Sequence, residues 1–419
     1  MLLVSLILIA LALLGTPLFA IIGASAMWGF LQAEIPQSVM GIELYRIAEM
    51  PILLAIPLFT FAGYLLSESN APSRLVRLSN ALLGWMPGGL AVVCLATCAL
   101  FTAFTGASGV TIIALGAILY PALMQGGYRE RFSLGLVTSS GSLGLLFAPS
   151  LPLILYGVVA QVSIDDLFRA GATPGVLMVI MLSAWCLWVN RKNRRSREDF
   201  SWSEVRQALR AAGWEIPLPI VVLGGIYSGY FAVSEAAAVT ALYVFFIDVV
   251  VLREVRFGDL PRIMRESMVL VGGIFLILGV SLASTTLMID AEVPQKLLSA
   301  ISSYVTGQLS FLILLLVFLL VLGAFLDIFS ALVLIVPLLL PVAESYGVNP
   351  LHLGIVFLAT MQLGYLTPPV GLNLFIASYR FDKPITSVYL ATIPFFLILL
   401  LSVLVITFVP QLSLWLVPD

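Results

Sequence analysis

Most of this sequence is divided into apolar runs about 20 residues long, the length of a helix that crosses a lipid bilayer. Of its 419 residues, 61% are hydrophobic and only 10% are charged, against about 25% charged residues in soluble domains. A water-soluble fold could not bury so much apolar surface, so we predict an all-α polytopic membrane protein in the lipid bilayer. The runs predicted to cross it fully lie near residues 2–30, 50–67, 132–160, 173–189, 215–232, 235–252, 267–288, 351–378 and 390–415.

The scarce charged and metal-ligating residues exclude several classes of function. The formal charge is −2 and no long basic face is present, which argues against binding of nucleic acid. Cys94, Cys98 and Cys186 lie in apolar runs, without the spacing of a disulfide framework or a metal cluster. His352 is the single histidine, so His-based metal or acid–base chemistry is not expected. We therefore expect no catalytic residues and no cofactor.

Two further apolar runs are too long for one crossing and have no polar loop between their halves. They cover residues 88–124 and 309–343. Polar residues interrupt the first at Thr105–Gly109 and the second at Asp327–Ser330. We predict that both runs are re-entrant hairpins, each entering and leaving the membrane on the same side.

The distribution of lysine and arginine predicts the orientation of the spans. If the basic stretch from Arg191 to Arg197 is cytoplasmic and both hairpins are non-crossing, 17 basic residues fall in inside loops and 3 in outside loops. Such an excess is the positive-inside signal of membrane proteins. It predicts a multi-pass protein with its N-terminus inside and its C-terminus outside. The 2–30 run lacks the basic start of a cleaved signal peptide and is predicted as a span.

The sequence resembles itself at a shift of about 220 residues. Pro121 then falls on Pro341, Gly127 on Gly347, and the segment 144–149 on the segment 364–369. We predict two repeats, at 1–189 and 235–419, separated by a cytoplasmic basic loop and a connector helix in 190–234. Because the two hairpins would enter from opposite sides, the repeats have inverted topology, as in many secondary transporters.

Four polar interruptions of apolar helices are expected at the depth of the bilayer midplane. Two are the hairpin tips, and two are proline-containing breaks at 148–152 and 367–373 in the helices 132–160 and 351–378. Irregular backbone at this depth is tolerated only inside protein or around a water-filled cavity. Freed carbonyls and hydroxyls there suit a bare cation, and the positive ends of resumed half-helices suit a carboxylate.

Pairing each hairpin tip with the break of its own repeat predicts two Na⁺ sites with an anion between them. The first set of ligands is Thr105, Gly106, Ser108, Gly144 and Pro149. The second set is Asp327, Ser330, Thr367, Gly371 and Asn373. The residues predicted to bind the substrate are Ser108, Ser150, Asp327, Ser330 and Asn373.

Other interpretations of single polar residues stay open. A serine or threonine in a membrane helix can simply bond to its own helix, whereas a carboxylate in mid-membrane, such as Asp327, is a functional candidate by default. Glu235 is expected at a helix start as a neighbour of the N-cap, Asp248 as a snorkelling residue, and His352 as an interfacial residue. The stretches 31–49 and 72–85 are predicted as amphipathic helices in the interface, either framing a moving core or anchoring the chain to lipid.

Several motifs along the chain resemble the large membrane subunit of tripartite ATP-independent periplasmic (TRAP) transporters. They are Leu54–Phe59 with Ala62-Gly63, the tip Thr105–Gly109, Gly224–Gly229 followed by Glu235–Ala238, and Gly364–Phe375. The last of these motifs is specific, and the likeness covers nearly the whole chain in order.

The resemblance implies an elevator-type secondary transporter in a bacterial or archaeal cytoplasmic membrane, driven by an inward Na⁺ gradient. It implies two partners, a small four-helix membrane subunit and a periplasmic substrate-binding protein. The implied substrate is a small organic acid, such as a C4-dicarboxylate, sialic acid or a similar carboxylate.

Three other functions fit the sequence less well than a Na⁺-coupled transporter of organic acids. A stand-alone Na⁺:divalent-anion symporter would carry a Ser-Asn-Thr signature at both hairpin tips, which is absent here. An anion channel would need a continuous polar pore lining, whereas the polar groups here cluster at the breaks. An intramembrane enzyme would need an acid pair or a metal-ligand motif, and the sequence shows neither.

Overall fold

The structure, a computed structural model, describes residues 6–8, 10–11, 14–86, 88–191, 200–302, 305 and 307–418. All regular elements in these ranges are helical, and none is a strand. The helices of the first half are α1 (Leu18–Gln32), α2 (Ser38–Ala48), α3 (Ala55–Glu68), α4 (Ala71–Leu83), α5 (Gly89–Thr105), α6 (Ser108–Gln125), α7 (Glu130–Ser140), α8 (Leu151–Ala160) and α9 (Ile164–Val189).

The second half continues with a short connecting region and then a second long series of helices. These helices are α10 (Trp202–Ala211), α11 (Pro217–Tyr227), α12 (Val233–Phe245), α13 (Leu260–Asp290), α14 (Val293–Ser302), α15 (Gln308–Gly323), α16 (Ile328–Ser345), α17 (Pro350–Gly364), α18 (Leu372–Phe381), α19 (Ile385–Phe408) and α20 (Gln411–Leu414). A π-helical segment, Phe246–Val251, extends α12.

Among the described residues, seven helical segments are long and apolar enough to cross a membrane. An eighth span is formed if α7 and α8, which are bent by 43° at their break, count as one. The all-α membrane fold predicted from the sequence is confirmed.

Three predicted spans are shorter in the structure, and two, 173–189 and 267–288, are longer, since they lie within α9 and α13. The 2–30 run is not one helix, because Gly15 takes a left-handed conformation (φ +85°) and Pro17 is the N-cap of α1. Residues 2–5, 9 and 12–13 of that run lie outside the described ranges. The 215–232 run forms only the 11-residue α11, and the 390–415 run ends as a long helix at Phe408, before Pro410 starts a short turn.

Two series of helices repeat at an offset of 219 to 221 residues. The starts of α6 and α16, Ser108 and Ile328, differ by 220, and the starts of α9 and α19 differ by 221. The turns after α6 and α16 each contain a glycine with φ +76°, at Gly127 and Gly347. Each series contains a hairpin, a broken helix and a long helix in that order. The opposite membrane orientation of the two series stays a prediction.

The two repeats are interleaved rather than side by side. The half-helix α8 packs against α16 of the second hairpin, and α18 packs against α6 of the first. The first halves of the broken helices also cross over, since α7 packs on α19 and α17 on α9. The helices α5–α9 and α15–α19 thus form one body, which we call the core.

A second group of helices packs against this core, through α13 on α16 and α3 on α5, and we call α1, α3, α12 and α13 the frame. The long helix α13 packs against α1, α2 and α3, and α12 packs against α3. The amphipathic stretches form α2 and α4 as helices, and α4 also packs against α10, a helix that the sequence analysis did not predict. Most of the basic stretch, residues 192–197, lies outside the described ranges.

Candidate functional site

A cluster of buried hydroxyls lies inside the tip of the first hairpin. Thr102 and Thr111, on opposite arms, place their Oγ1 atoms 2.7 Å apart, and Thr105 Oγ1 lies 3.5 Å from Thr111 Oγ1. Thr102 Oγ1 donates to the carbonyl of Gly141 at 2.9 Å. All three threonines are fully buried. We call this group of oxygens the hydroxyl cluster. It joins both arms of the hairpin to the end of α7, as a cation site made of hydroxyls and freed carbonyls requires.

Two glycines predicted for the first Na⁺ site lie beside this cluster. Gly106 turns the chain between α5 and α6 with φ +64°, and a Cβ there would lie 2.4 Å from Leu151 Cγ at the start of α8. Gly144 is pressed against α5, where a Cβ would lie 2.3 Å from the carbonyl oxygen of Ala99. The tip and the break of the first repeat therefore lie in contact, while their role as a Na⁺ site stays a prediction.

The break itself is longer than the segment 148–152 that the sequence indicated. The α-helix α7 ends at Ser140, a 3₁₀ turn covers Leu143–Leu146, and Leu151 and Pro152 already belong to α8. The Ser150 hydroxyl donates to the carbonyl of Leu145 at 2.7 Å, so it stabilises the break. The peptide bond before Pro149 is cis.

At the second hairpin tip, Asp327 is the N-cap of α16. Its Oδ1 accepts the N–H groups of Phe329 and Ser330 at 2.9 and 3.0 Å, and its Oδ2 accepts the Ser330 hydroxyl. The N–H of Ile328 donates to the Tyr365 hydroxyl at 2.8 Å. A carboxylate offers about four acceptor positions. The three hydrogen bonds that Asp327 accepts at the helix start use three of them, which leaves about one for a cation.

The other residues of the predicted second site divide between two places. The Gly371 N–H donates to the carbonyl of Ala324 at 3.2 Å, which joins the break after α17 to the hairpin tip. The Thr367 hydroxyl bonds back to Leu363 of its own helix. Asn373 instead reaches the first repeat, where its Nδ2 donates to the Thr138 carbonyl at 3.4 Å. The structure therefore places Asn373 at the boundary between the repeats.

Some buried polar atoms near these breaks have no hydrogen-bond partner among the described residues. One is Asn373 Oδ1. Another is Ser139 Oγ, on the residue after Thr138, to which Asn373 donates. Gln362 Oε1 on α17 is in the same condition. Buried polar atoms in folded proteins are almost always paired, so these oxygens are available acceptors next to the breaks.

The four half-helix starts inside the core differ in their capping. Those of α6, α8 and α18 have no side-chain cap, whereas Asp327 caps α16. An uncapped helix start presents free N–H donors and the positive end of the helix dipole. Three of the four starts therefore suit an anion such as a carboxylate, and the fourth carries a carboxylate of its own.

Sequence reasoning missed Thr102, Thr111 and Tyr365. Thr102 and Thr105 share a helix face by their three-residue spacing, a signal that was available. Thr111 lies on the second arm of the hairpin, beyond the predicted tip, and joins the group only through the packing of the two arms. Tyr365 lies inside the Gly364–Phe375 motif, but its contact with Ile328 depends on the packing of α17 against α16.

Three other single-residue expectations have clear outcomes. Glu235 is confirmed at a helix start, where its carboxylate accepts the Ala232 N–H at 3.0 Å. His352, expected at the interface, is 1% exposed, with its ring nitrogens 3.2 Å from Ser413 Oγ and from the Thr407 carbonyl. Asp248 is 2% exposed and therefore does not snorkel. Both residues are covered by neighbouring elements that the sequence does not place beside them.

The chain has relatives among characterised and solved proteins. Residues 3–412 match the family model described as the tripartite ATP-independent periplasmic transporter, DctM component. The C4-dicarboxylate TRAP transporter large permease protein DctM of Rhodobacter capsulatus is 33% identical, over 97% of this chain and 96% of that protein. The ectoine TRAP transporter large permease protein TeaC of Halomonas elongata is 31% identical, over 97% and 96%.

Two further comparisons concern partners and fold. The isethionate TRAP transporter permease protein DctMQ of Oleidesulfovibrio alaskensis is 32% identical over 96% of this chain and 64% of that protein. The crystal structure of the YdaH transporter of Alcanivorax borkumensis, which has an unusual topology, superposes on this chain with a TM-score of 0.64. The match covers 99% of this chain and all of the YdaH chain at 14% sequence identity, which shows a shared fold. From the family match along nearly its whole length, this chain belongs to the DctM family of large TRAP transporter permease components.

Proposed function

We propose that this permease imports a small organic acid together with Na⁺, by an elevator movement of the core against the frame. The observation that carries the proposal is the hydroxyl cluster, where a hairpin tip and a helix break bring several buried oxygens together. In transporters built from repeats, such breaks are where ions and substrates bind.

The substrate would lie between the two tips, close to the uncapped starts of α6, α8 and α18. The unpaired Ser139 hydroxyl can donate to such a ligand, whereas Asn373 Oδ1 can only accept and suits a cation at this boundary. A carboxylate is favoured because helix starts attract negative charge. The substrates in the relatives' names include C4-dicarboxylates and 2,3-diketo-L-gulonate, which are carboxylates.

Two partners belong to this proposal. A periplasmic binding protein would deliver the substrate to the outer face, and a small membrane subunit would pack against the frame. The DctMQ relative supports the second partner, since about a third of its length extends beyond the match to this chain. The protein would lie in the bacterial inner membrane with its N-terminus inside and its C-terminus outside, as the basic residues indicate.

Na⁺ binding can be tested without knowing the substrate. A ligand that binds only the folded state raises the melting temperature, so the purified protein is heated in NaCl and in choline chloride. We expect stabilisation by NaCl in the unmodified protein and its loss in Thr102→Val and Thr111→Val. Thr240→Val is the matched control, because Thr240 is also fully buried but bonds only to Ala236 of its own helix.

Transport is then tested in proteoliposomes that contain the co-expressed small subunit. An inward Na⁺ gradient should drive uptake of labelled succinate, the simplest saturated C4-dicarboxylate, when a matching binding protein is supplied. Equal stabilisation by Na⁺ and choline in the unmodified protein would contradict the Na⁺ site. Uptake that follows a proton gradient and ignores Na⁺ would contradict the coupling ion.

A further inference from the structure

The second arm of hairpin two contains a backbone carbonyl that its own helix cannot satisfy in the regular way. Pro337 lies inside α16 and has no N–H. The carbonyl four residues earlier, that of Val333, therefore loses its usual donor. Val333 is buried, and an unsatisfied carbonyl in the membrane interior costs free energy.

A frame residue supplies the missing donor. Ser281, on α13, donates its hydroxyl to the Val333 carbonyl at 2.8 Å, and both residues are buried. Serines in membrane helices usually bond to a carbonyl of their own helix. Ser267 and Thr286 on the same helix do so, through Met264 and Leu282. Ser281 differs from them, since its bond crosses from the frame to the core.

A second proline-freed carbonyl shows a different solution. Pro394 lies inside α19, so Leu390 is the residue whose carbonyl loses its donor. Arg131 donates to that carbonyl through Nε at 3.1 Å and Nη2 at 2.7 Å. Arg131 and Leu390 both belong to the core, so this bond can persist during a rigid movement of the core. The Ser281–Val333 bond cannot, because its two residues lie on bodies that would separate.

We propose that Ser281 is a positioning residue for transport, which holds the second hairpin against the frame in the conformation described here and releases it during each cycle. The inference rests on the elevator movement in the proposed function. After release, Ser281 can bond to Ile277 of its own helix, whereas Val333 has no such alternative. The bond therefore favours the described conformation, by about fivefold for one neutral hydrogen bond.

The test measures how the two conformations are populated in the full-length chain in lipid nanodiscs. Spin labels are attached at Tyr230→Cys, beside the frame helix α12, and at Tyr379→Cys on the core helix α18. These side chains are 85% and 93% exposed, while the three native cysteines are buried. Pulsed electron–electron double resonance then gives the distribution of distances between the two spin labels, with and without Na⁺.

Four variants separate the hydrogen bond from general packing. Ser281→Ala removes the donor, and Pro337→Ala restores an N–H that satisfies Val333 in both conformations. Each should lower the ratio of the described conformation to the other by about fivefold. The double variant should lower it no further than Pro337→Ala alone, since the two changes remove one interaction. Ser267→Ala, a buried serine on the same helix, should leave the ratio unchanged.

The outcomes distinguish this inference from the function on which it rests. The positioning role would be overturned if Ser281→Ala leaves the ratio of the two conformations at the control value. It would also be overturned if the effects of Ser281→Ala and Pro337→Ala add in the double variant. The elevator movement would stand in either case. A single distance in the unmodified protein under all ionic conditions would overturn both proposals. If Ser281→Ala fails to fold, the ratio in Pro337→Ala still decides between these outcomes.

Discussion

Replacing Arg74 should destabilise the protein more than replacing any exposed arginine, because Arg74 pairs with one buried and one partly buried carboxylate. It lies on α4, and its Nε donates to Glu215 Oε1 at 2.6 Å while its Nη1 pairs with Glu254. The three side chains are 14%, 6% and 15% exposed. The Asn70 N–H also donates to Glu254, at 2.9 Å. Together these contacts join α4 to the segments before α11 and after α12.

The size of the effect follows from the charges left behind in Arg74→Ala. Removing one partner of a buried ion pair costs about 3–5 kcal/mol. We expect about 3 kcal/mol, since the guanidinium is partly exposed. Unfolding entropy of about 2 cal/mol/K per residue, applied to 419 residues, converts this to a fall in melting temperature of about 3–4 °C.

Arg77→Ala is the matched control on the same helix. Arg77 pairs with Glu204 at 2.8 Å, but the two side chains are 48% and 42% exposed. Pairs of this kind contribute about 0–1 kcal/mol, so the melting temperature should change by about 1 °C or less. The assay is thermal unfolding of both purified variants, followed by tryptophan fluorescence or light scattering. Equal melting temperatures for Arg74→Ala and Arg77→Ala would refute the reasoning.

The dependence on pH gives a second check of the same ion pairs. Burial raises the pKa of Glu254, but the bonds from Arg74 and Asn70 outweigh it and leave that pKa below the ordinary value of 4.5. A carboxylate with a lowered pKa stabilises the fold above its ordinary pKa, and this stabilisation is lost as the pH falls through the lowered value. In Arg74→Ala, acid instead neutralises the unpaired carboxylates. The difference in melting temperature between the two proteins should therefore shrink from pH 7 to pH 4.

Three further predictions concern the core. Gly63→Val should block transport without preventing insertion, because a Cβ at Gly63 would lie 2.6 Å from the backbone of Thr105 at the hairpin tip. As a control, Gly41→Ala should transport normally, because a Cβ at Gly41 meets no atom within 4 Å. Asp327→Asn should keep the N-cap and the melting temperature but lose stabilisation by Na⁺. Asp327→Ala should lose the Na⁺ stabilisation and also the cap, which costs about 1 kcal/mol. Normal Na⁺ stabilisation in Asp327→Asn would mean that this residue serves only as a cap. His352→Ala should lower stability by about 1–3 kcal/mol, as the buried ring and its two contacts are removed, and an unchanged melting temperature would contradict this.

The membrane class, the repeat and the positions of the breaks could be predicted from sequence because their causes are local. Apolar length predicts a spanning helix, and proline or glycine in an apolar run predicts an interruption. The 220-residue offset between Pro121 and Pro341 corresponds to the offset between the helices α6 and α16. The motif Gly364–Phe375 pointed to the family that the comparisons show.

The partners of individual side chains could not be predicted, since each depends on a contact between distant segments. Asp327 was a candidate ligand by its charge, yet the folded tip uses most of its oxygen positions for capping. Asn373 was assigned to the second Na⁺ site and to the substrate, and its amide reaches Thr138 because α18 packs against the first hairpin. His352 is buried by the C-terminal segment around Ser413.

Sequence alone thus determined which segments enter the membrane and where their helices must break, because hydrophobic length and missing backbone donors act within a few residues. Only the tertiary structure decided which groups satisfy those breaks. The hydroxyl cluster needs both arms of the first hairpin to pack against the end of α7, and the bond from Ser281 to Val333 joins residues 52 positions apart. The breaks arise from local chemistry, whereas their hydrogen-bond partners are set by the packing of the core against the frame.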